Sequence, residues 1–115
     1  GACTILFNNE PVRSCLMLAP QIHNGEITTI EGISENNTYD DLREAFKKYH
    51  ALQCGYCTPG FITTIVYLLQ KKQFLKEEEI REKLSGNICR CTGYTGIVKA
   101  VEEVFLNRFK KSKND

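Results

Sequence analysis

The sequence has 115 residues, of which 42% are hydrophobic and 25% are charged, and its formal net charge is +1. This length accommodates one principal hydrophobic core, and a charge so close to neutral produces no field that would concentrate nucleic acid. The longest apolar run, residues 61–69, is far shorter than the roughly 20 residues that span a bilayer, so we expect neither a nucleic-acid nor a membrane partner.

The first third of the chain has the pattern of short strands and turns. Residues 4–7 and 12–16 flank the turn-forming segment 8–11 and predict a β-hairpin, and residues 27–30 predict one further strand. Three such short strands bury too little surface to be stable alone. We therefore expect this segment to pack on the rest of the chain or on other polypeptide.

From residue 38 onward, apolar residues recur at helical spacing. The pattern predicts four helices, the first with Thr38 as its N-cap and the second with Pro59 in its first turn, at about 38–49, 59–72, 76–84 and 93 or 95–109. Four helices with short connections are typical of a bundle. The tail at 110–115 has no apolar face and is expected to be solvated.

The spacing of the cysteines points to metal chemistry. Of the six cysteines, Cys3 and Cys15 stand apart near the N-terminus. The other four form two close pairs, Cys54 with Cys57 and Cys89 with Cys91. Both close pairs precede a predicted helix, whose free N–H groups and positive dipole end favour thiolate over thiol.

Four thiolates need a cation, and either zinc or an iron–sulfur cluster accepts four cysteine sulfurs. The one-residue gap between Cys89 and Cys91 suits a structural zinc site less well, so the spacing favours iron–sulfur and keeps zinc as the alternative. A thiol redox switch at Cys54 and Cys57 is a third hypothesis, but it leaves the other pair without a role.

Two longer motifs contain these pairs. Residues 53–61 read Gln-Cys-Gly-Tyr-Cys-Thr-Pro-Gly-Phe, and residues 85–94 read Ser-Gly-Asn-Ile-Cys-Arg-Cys-Thr-Gly-Tyr. Together they resemble the second-cluster signature of the small iron–sulfur subunit of the xanthine oxidase family of molybdenum hydroxylases, which includes xanthine dehydrogenase, aldehyde oxidoreductase, nicotinate dehydrogenase and carbon monoxide dehydrogenase. The resemblance covers practically the whole chain. It implies a mainly α fold, with a four-helix-bundle [2Fe-2S]-binding domain at 34–115 after a short β remnant of a ferredoxin-like (β-grasp) domain at 1–33.

The resemblance also implies the site residues and the role of the chain. It assigns one [2Fe-2S] cluster to four ligands, which are Cys54, Cys57, Cys89 and Cys91. Gln53 and Cys91 match positions that approach the pterin of the molybdenum cofactor. The implied function is that of an electron-transfer subunit of an oxidoreductase, which relays single electrons from the molybdopterin centre towards a flavin or other acceptor. The alternative is a zinc-stabilised helical interaction module without redox activity.

The implied partners are a molybdopterin-binding large subunit and an FAD-binding subunit, so both of these cofactors are expected on partner subunits or domains. The sequence contains no recognisable nucleophile–base pair, phosphate loop or carboxylate pair, so this chain alone should carry no substrate site. Nothing in the sequence indicates export, and a reducing, cytoplasmic location is expected.

The chain departs from the family pattern at the first cluster. That motif is Cys-x4-Cys-Gly-x-Cys followed by a later cysteine, and only Cys3 and Cys15 match its last two ligands. The resemblance therefore implies an incomplete first cluster, which should not assemble unless the missing N-terminal ferredoxin-like segment or another polypeptide supplies two thiolates. Tyr56 and Phe61 are expected to shield the second cluster from water, whereas His23 and His50 lack partners at ligand spacing and are expected to be solvated or structural.

Overall fold

The computed structural model describes residues 1–110, which form a small antiparallel sheet followed by five helices. The strands are β1 (Thr4–Phe7), β2 (Glu10–Arg13) and β3 (Ile27–Thr28). The helices are α1 (Ile30–Ser34), α2 (Asp40–Lys48), α3 (Thr58–Gln70), α4 (Glu77–Lys83) and α5 (Thr95–Phe105), and α5 continues as a wider π-helical turn over Leu106–Lys110. Short 3₁₀ turns lie at Ser14–Leu16, Ala19–Ile22 and Asn37–Tyr39. The tail was predicted to be solvated over residues 110–115, and residues 111–115 lie outside the described part of the chain.

The predicted hairpin is confirmed, but its second strand lies at Glu10–Arg13 and not at 12–16, because the turn takes only two residues. Asn8 and Asn9 have φ angles of 50° and 66°, the left-handed values that a two-residue type I′ turn requires, and asparagine tolerates them well. β1 lies between β2 and β3 and pairs antiparallel with both. The strand predicted at 27–30 is shorter than expected, because Ile30 already begins α1.

The start of α2 differs from the prediction. Asp40 and Asp41 lie in its first turn and Lys47 and Lys48 in its last, an arrangement that complements the helix dipole. The prediction that Thr38 caps this helix was wrong. Asn36 accepts a hydrogen bond from the Thr38 N–H at 2.9 Å and so caps the 3₁₀ turn that leads into α2.

The four predicted helices, now α2 to α5, are confirmed as the bulk of the fold. α2 and α4 pack against α5, and α3 packs against β1 and α1. The shared core contains Leu6, Leu42, Phe46, Phe61, Ile65, Ile80, Ile97, Val101 and Phe105, each no more than 3% exposed. Because Leu6 of β1 belongs to this core, the N-terminal segment packs on the bundle as expected.

One glycine sets the separation of α2 and α5. A Cβ on Gly96 would lie 2.5 Å from the Tyr49 carbonyl oxygen at the end of α2, so only glycine permits this approach. In the part of the chain that the structure describes, no helix is long and apolar enough to cross a membrane.

Candidate metal centre

The two cysteine loops meet at one end of the bundle. Cys54 and Cys57 precede α3, whereas Cys89 and Cys91 lie in the loop between α4 and α5. The Sγ atoms of Cys54 and Cys91 are 3.6 Å apart, and the thiols of Cys57 and Cys89 are neighbours close enough to shift each other's pKa. Each sulfur pair therefore takes one cysteine from each loop.

This pairing distinguishes between the metal centres that the sequence allows. A structural zinc ion draws its four ligands around one point. A [2Fe-2S] cluster instead takes two protein sulfurs at each of its two irons. The donor set and its division into two pairs fit the two-iron centre.

The surrounding backbone places the loops differently from each other. α3 begins at Thr58, directly after Cys57, so this cysteine lies at a helix N-terminus as predicted. Cys91 does not, because three residues separate it from α5. Two of these, Gly93 and Tyr94, have φ angles of 67° and 70°, and this left-handed stretch turns the chain before α5 begins.

Two residues that hold Cys89 were missed by the sequence reasoning. Thr92 donates to the Cys89 Sγ from its hydroxyl at 3.1 Å and from its backbone N–H at 3.5 Å. The Tyr94 hydroxyl oxygen accepts the Cys89 backbone N–H at 3.1 Å, and the Tyr94 N–H donates to Thr92 Oγ1 at 3.2 Å. A threonine follows Cys57 just as Thr92 follows Cys91, and this repeated pattern is the signal in the sequence that could have indicated a threonine near the sulfurs. Thr58 Oγ1, however, is buried without a hydrogen-bond partner within residues 1–110.

These contacts separate the pKa values of one sulfur pair. Burial raises the pKa of Cys57 to about 11, with a further contribution from the neighbouring Cys89 thiol. Burial acts in the same direction on Cys89, but the two hydrogen bonds from Thr92 and one from Cys57 outweigh it and lower the pKa to about 7. Of these two sulfurs, the chain therefore stabilises negative charge more strongly on Cys89, which is only 5% exposed.

The other predicted residues are distributed as follows. Cys54, Cys91 and the neighbouring Gln53 are exposed on the same edge of the protein. Tyr56 is 80% exposed, so the expectation that it shields the site is wrong for this chain. Phe61 is buried and lies 6.4 Å from Tyr94, measured between ring centroids. His23 and His50, the two histidines, are exposed.

Cys3 and Cys15 form a third thiol pair, at the base of the hairpin. Their Sγ atoms are 3.3 Å apart, a separation that suits two ligands of one metal centre. Ser14 fixes this arrangement, because its N–H and hydroxyl both donate to the Cys3 carbonyl, at 3.2 and 2.8 Å. Hydrogen bonds from the Cys15 backbone and thiol lower the pKa of Cys3, and the contact with Cys3 raises the pKa of Cys15.

A helical bundle that brings two cysteine loops together defines a class of iron–sulfur-binding domains. Residues 29–102 match the family model described as "[2Fe-2S] binding domain", and the chain belongs to this family. Among similar proteins are caffeine dehydrogenase subunit gamma of Pseudomonas sp. (strain CBB1) and the nicotine 6-hydroxylase small subunit of Paenarthrobacter nicotinovorans. The first is 48% identical over 90% of this chain and 64% of its own length, and the second is 52% identical over 88% and 61%.

A solved structure extends the likeness to the fold. Quinoline 2-oxidoreductase from Pseudomonas putida 86 matches with a TM-score of 0.82 and 42% identity, over 90% of this chain and 64% of the matched chain. The resemblance to small iron–sulfur subunits of the xanthine oxidase family of molybdenum hydroxylases is thereby confirmed. This chain spans less than two thirds of the length of these relatives.

Proposed function

We propose that this chain is the [2Fe-2S] electron-transfer part of a molybdenum-containing hydroxylase. In this proposal the ligands are Cys54, Cys57, Cys89 and Cys91. The observation that carries the proposal is the division of these four sulfurs into two pairs across the two loops. When bound, a [2Fe-2S] cluster accepts and releases one electron at a time, which is the chemistry a relay needs.

The chain's own residues would tune and protect this site. The two hydrogen bonds from Thr92 to Cys89 stabilise negative charge on that sulfur, and the buried position of Cys89 keeps water from competing for it. Cys54 and Cys91, in contrast, are exposed and form the solvent-facing pair of the site. This asymmetry supports a role in which one side of the site is insulated and the other meets a partner.

The surface around the exposed pair supports a protein partner. Leu52, Tyr56 and Ile88 are 41%, 80% and 71% exposed beside the cysteine loops, and a group of exposed large apolar side chains is typical of protein interfaces. We assign this surface to the molybdopterin-binding large subunit. Gln53 and Cys91 would then approach the pterin, and electrons would pass on towards an FAD-binding subunit.

The division of the chain follows from the same proposal. Residues 1–33 would be the end of a ferredoxin-like domain and residues 34–115 the helical [2Fe-2S] domain, and the family match begins five residues before this boundary, at residue 29. Cys3 and Cys15 would supply two of the four thiolates of a first cluster, with the other two from polypeptide outside this chain. A cytoplasmic location is part of the proposal, since such clusters are assembled from free thiols in a reducing compartment.

Anaerobic purification followed by iron, sulfide and zinc analysis tests the ligand set. We expect about two irons and two sulfides per chain and visible charge-transfer absorption. Cys57→Ser and Cys89→Ser should each lose the iron, whereas the matched control Cys15→Ser should retain it. A colourless protein with one zinc per chain would support the zinc-stabilised module instead, for which the comparisons offer no support.

Combination with the molybdopterin and flavin subunits tests the relay. Cys91→Ser should lose both iron and electron flow, because it removes a ligand. Gln53→Ala keeps all four thiolates, so its iron content should be normal while substrate reduces the site more slowly. If Gln53→Ala changes neither quantity, the assigned pterin contact is wrong.

A further inference from the structure

Two groups of buried polar residues meet between the two cysteine sites. On the bundle side, the Thr64 hydroxyl of α3 lies 2.9 Å from Asn87 Oδ1 and 3.1 Å from the Gly60 carbonyl oxygen. On the hairpin side, the Gly1 carbonyl accepts the Thr4 N–H at 3.1 Å and also the Thr4 hydroxyl. The three side chains are 4–7% exposed. We call these five residues the polar clasp.

The clasp joins segments that carry the cysteines. Gly1 and Thr4 flank Cys3, Gly60 lies three residues after Cys57, and Asn87 lies two residues before Cys89. Arg13 strengthens the connection from outside, because its guanidinium donates to Thr4 Oγ1 at 2.6 Å and to the carbonyl of Gly86, the residue before Asn87.

The two halves of the clasp meet without room for a side chain. A Cβ on Gly60 would overlap the Gly1 carbonyl oxygen and lie 2.9 Å from its carbonyl carbon and 3.1 Å from Asn87 Nδ2. A Cβ on Gly1 would lie 2.7 Å from the same Nδ2 atom. Glycine is unfavourable inside a helix. Gly60 nevertheless lies in the first turn of α3, because the segment before Cys3 occupies the space that a side chain would need.

We propose that Gly60, Thr64 and Asn87 are positioning residues that hold the Cys3–Cys15 pair at a fixed place relative to the Cys57–Cys89 pair. The inference rests on the proposed function in one respect, namely that both pairs serve redox centres. Electron exchange between two centres falls steeply with their separation, so a relay needs a defined distance between them. The clasp supplies it through the polypeptide and not through either metal site.

A matched pair of glycine substitutions tests the contact by hydrogen exchange of the full chain. Gly60→Ala introduces the overlap, whereas Gly32→Ala places a Cβ in α1 at an ordinary 3.7 Å from Thr28 Cγ2. Both changes favour the helix by themselves. We expect Gly60→Ala to accelerate amide exchange in residues 1–13 at least tenfold while residues 97–105 stay within twofold of wild type, and Gly32→Ala to change neither.

A second pair keeps the test decisive if Gly60→Ala fails to fold. Thr64→Val removes the hydrogen bond to Asn87 without added bulk, and Thr63→Val is its control, because the neighbouring buried hydroxyl bonds only within α3, to the Pro59 carbonyl. Thr64→Val should accelerate amide exchange in residues 1–13 about threefold or more. Thr64→Ser, which keeps the hydroxyl, should exchange at the wild-type rate in that segment, and so should Thr63→Val.

The outcomes separate this inference from the proposed function. Selective loosening of residues 1–13 in the Thr64→Val variant, with rescue by serine, supports the clasp. Unchanged exchange in that segment, or exchange that rises equally in 97–105, overturns it. The iron and sulfide content of the wild-type chain is measured separately, so a chain that binds no cluster overturns the proposed function without deciding whether the segments are held together.

Discussion

Thr92→Val should lower the reduction potential of the [2Fe-2S] site. The substitution keeps the shape of the side chain but removes the hydroxyl that donates to Cys89 Sγ at 3.1 Å. Cys89 is 5% exposed, so water does not replace the lost donor. Donated hydrogen bonds stabilise the more negative, reduced state, so their loss favours oxidation. A net bond energy of about 0.5–1.5 kcal/mol corresponds to about 20–60 mV for a one-electron couple.

The measurement is a redox titration of the purified chain followed by visible absorption and by the electron paramagnetic resonance signal of the reduced state. Thr63→Val is the matched control, because the hydroxyl of this buried threonine donates to the Pro59 carbonyl and not to a cysteine sulfur. Its potential should equal that of wild type. An unchanged potential in Thr92→Val, at full iron content, would show that the Thr92 hydroxyl does not act on the bound cluster.

Three further predictions concern the fold that supports the site. Tyr94→Phe leaves the buried N–H of Cys89 without its acceptor and should lower the free energy of unfolding by about 1–3 kcal/mol in urea titrations; an unchanged value would mean that another acceptor replaces the hydroxyl. Gly96→Ala should destabilise by roughly 1–2 kcal/mol despite the better helix propensity of alanine, because the Cβ would lie 2.5 Å from a carbonyl at the end of α2, and a higher melting temperature would contradict this. The ion pair with Arg108 outweighs partial burial and lowers the pKa of Asp41. Because the folded-state pKa lies below the unfolded value, the pair stabilises fully above about pH 4 and less as pH falls through the folded value, so Arg108→Gln should destabilise more at pH 7 than at pH 3.

Helical periodicity predicted the bundle well because the apolar faces are strong. The apolar residues that recur at helical spacing are buried, among them Leu42 and Phe46 of α2, Ile65 of α3, and Ile97 and Val101 of α5. The hairpin was equally accessible, since two adjacent asparagines between β-prone segments have few alternatives to a left-handed turn. In these segments local preference and tertiary packing agree.

The prediction was less accurate where tertiary contacts decide. Ile30 is β-branched and reads as strand, yet it begins α1, which packs against α3. Thr38 has the composition of a cap, but Asn36 takes that role two residues earlier. Tyr56 was expected to cover the site but is 80% exposed. Whether a side chain covers a site depends on the tertiary packing around it, which the spacing of residues in the sequence does not describe.

At the site itself, cysteine spacing identified the residues but not how they combine. Sequence proximity suggests the pairs Cys54 with Cys57 and Cys89 with Cys91, whereas the sulfurs pair across the loops. A two-iron centre held in this way would tie the start of α3 to the loop after α4. The same two segments meet the hairpin through the polar clasp, so cluster binding and the placement of Cys3 depend on one shared region of the fold.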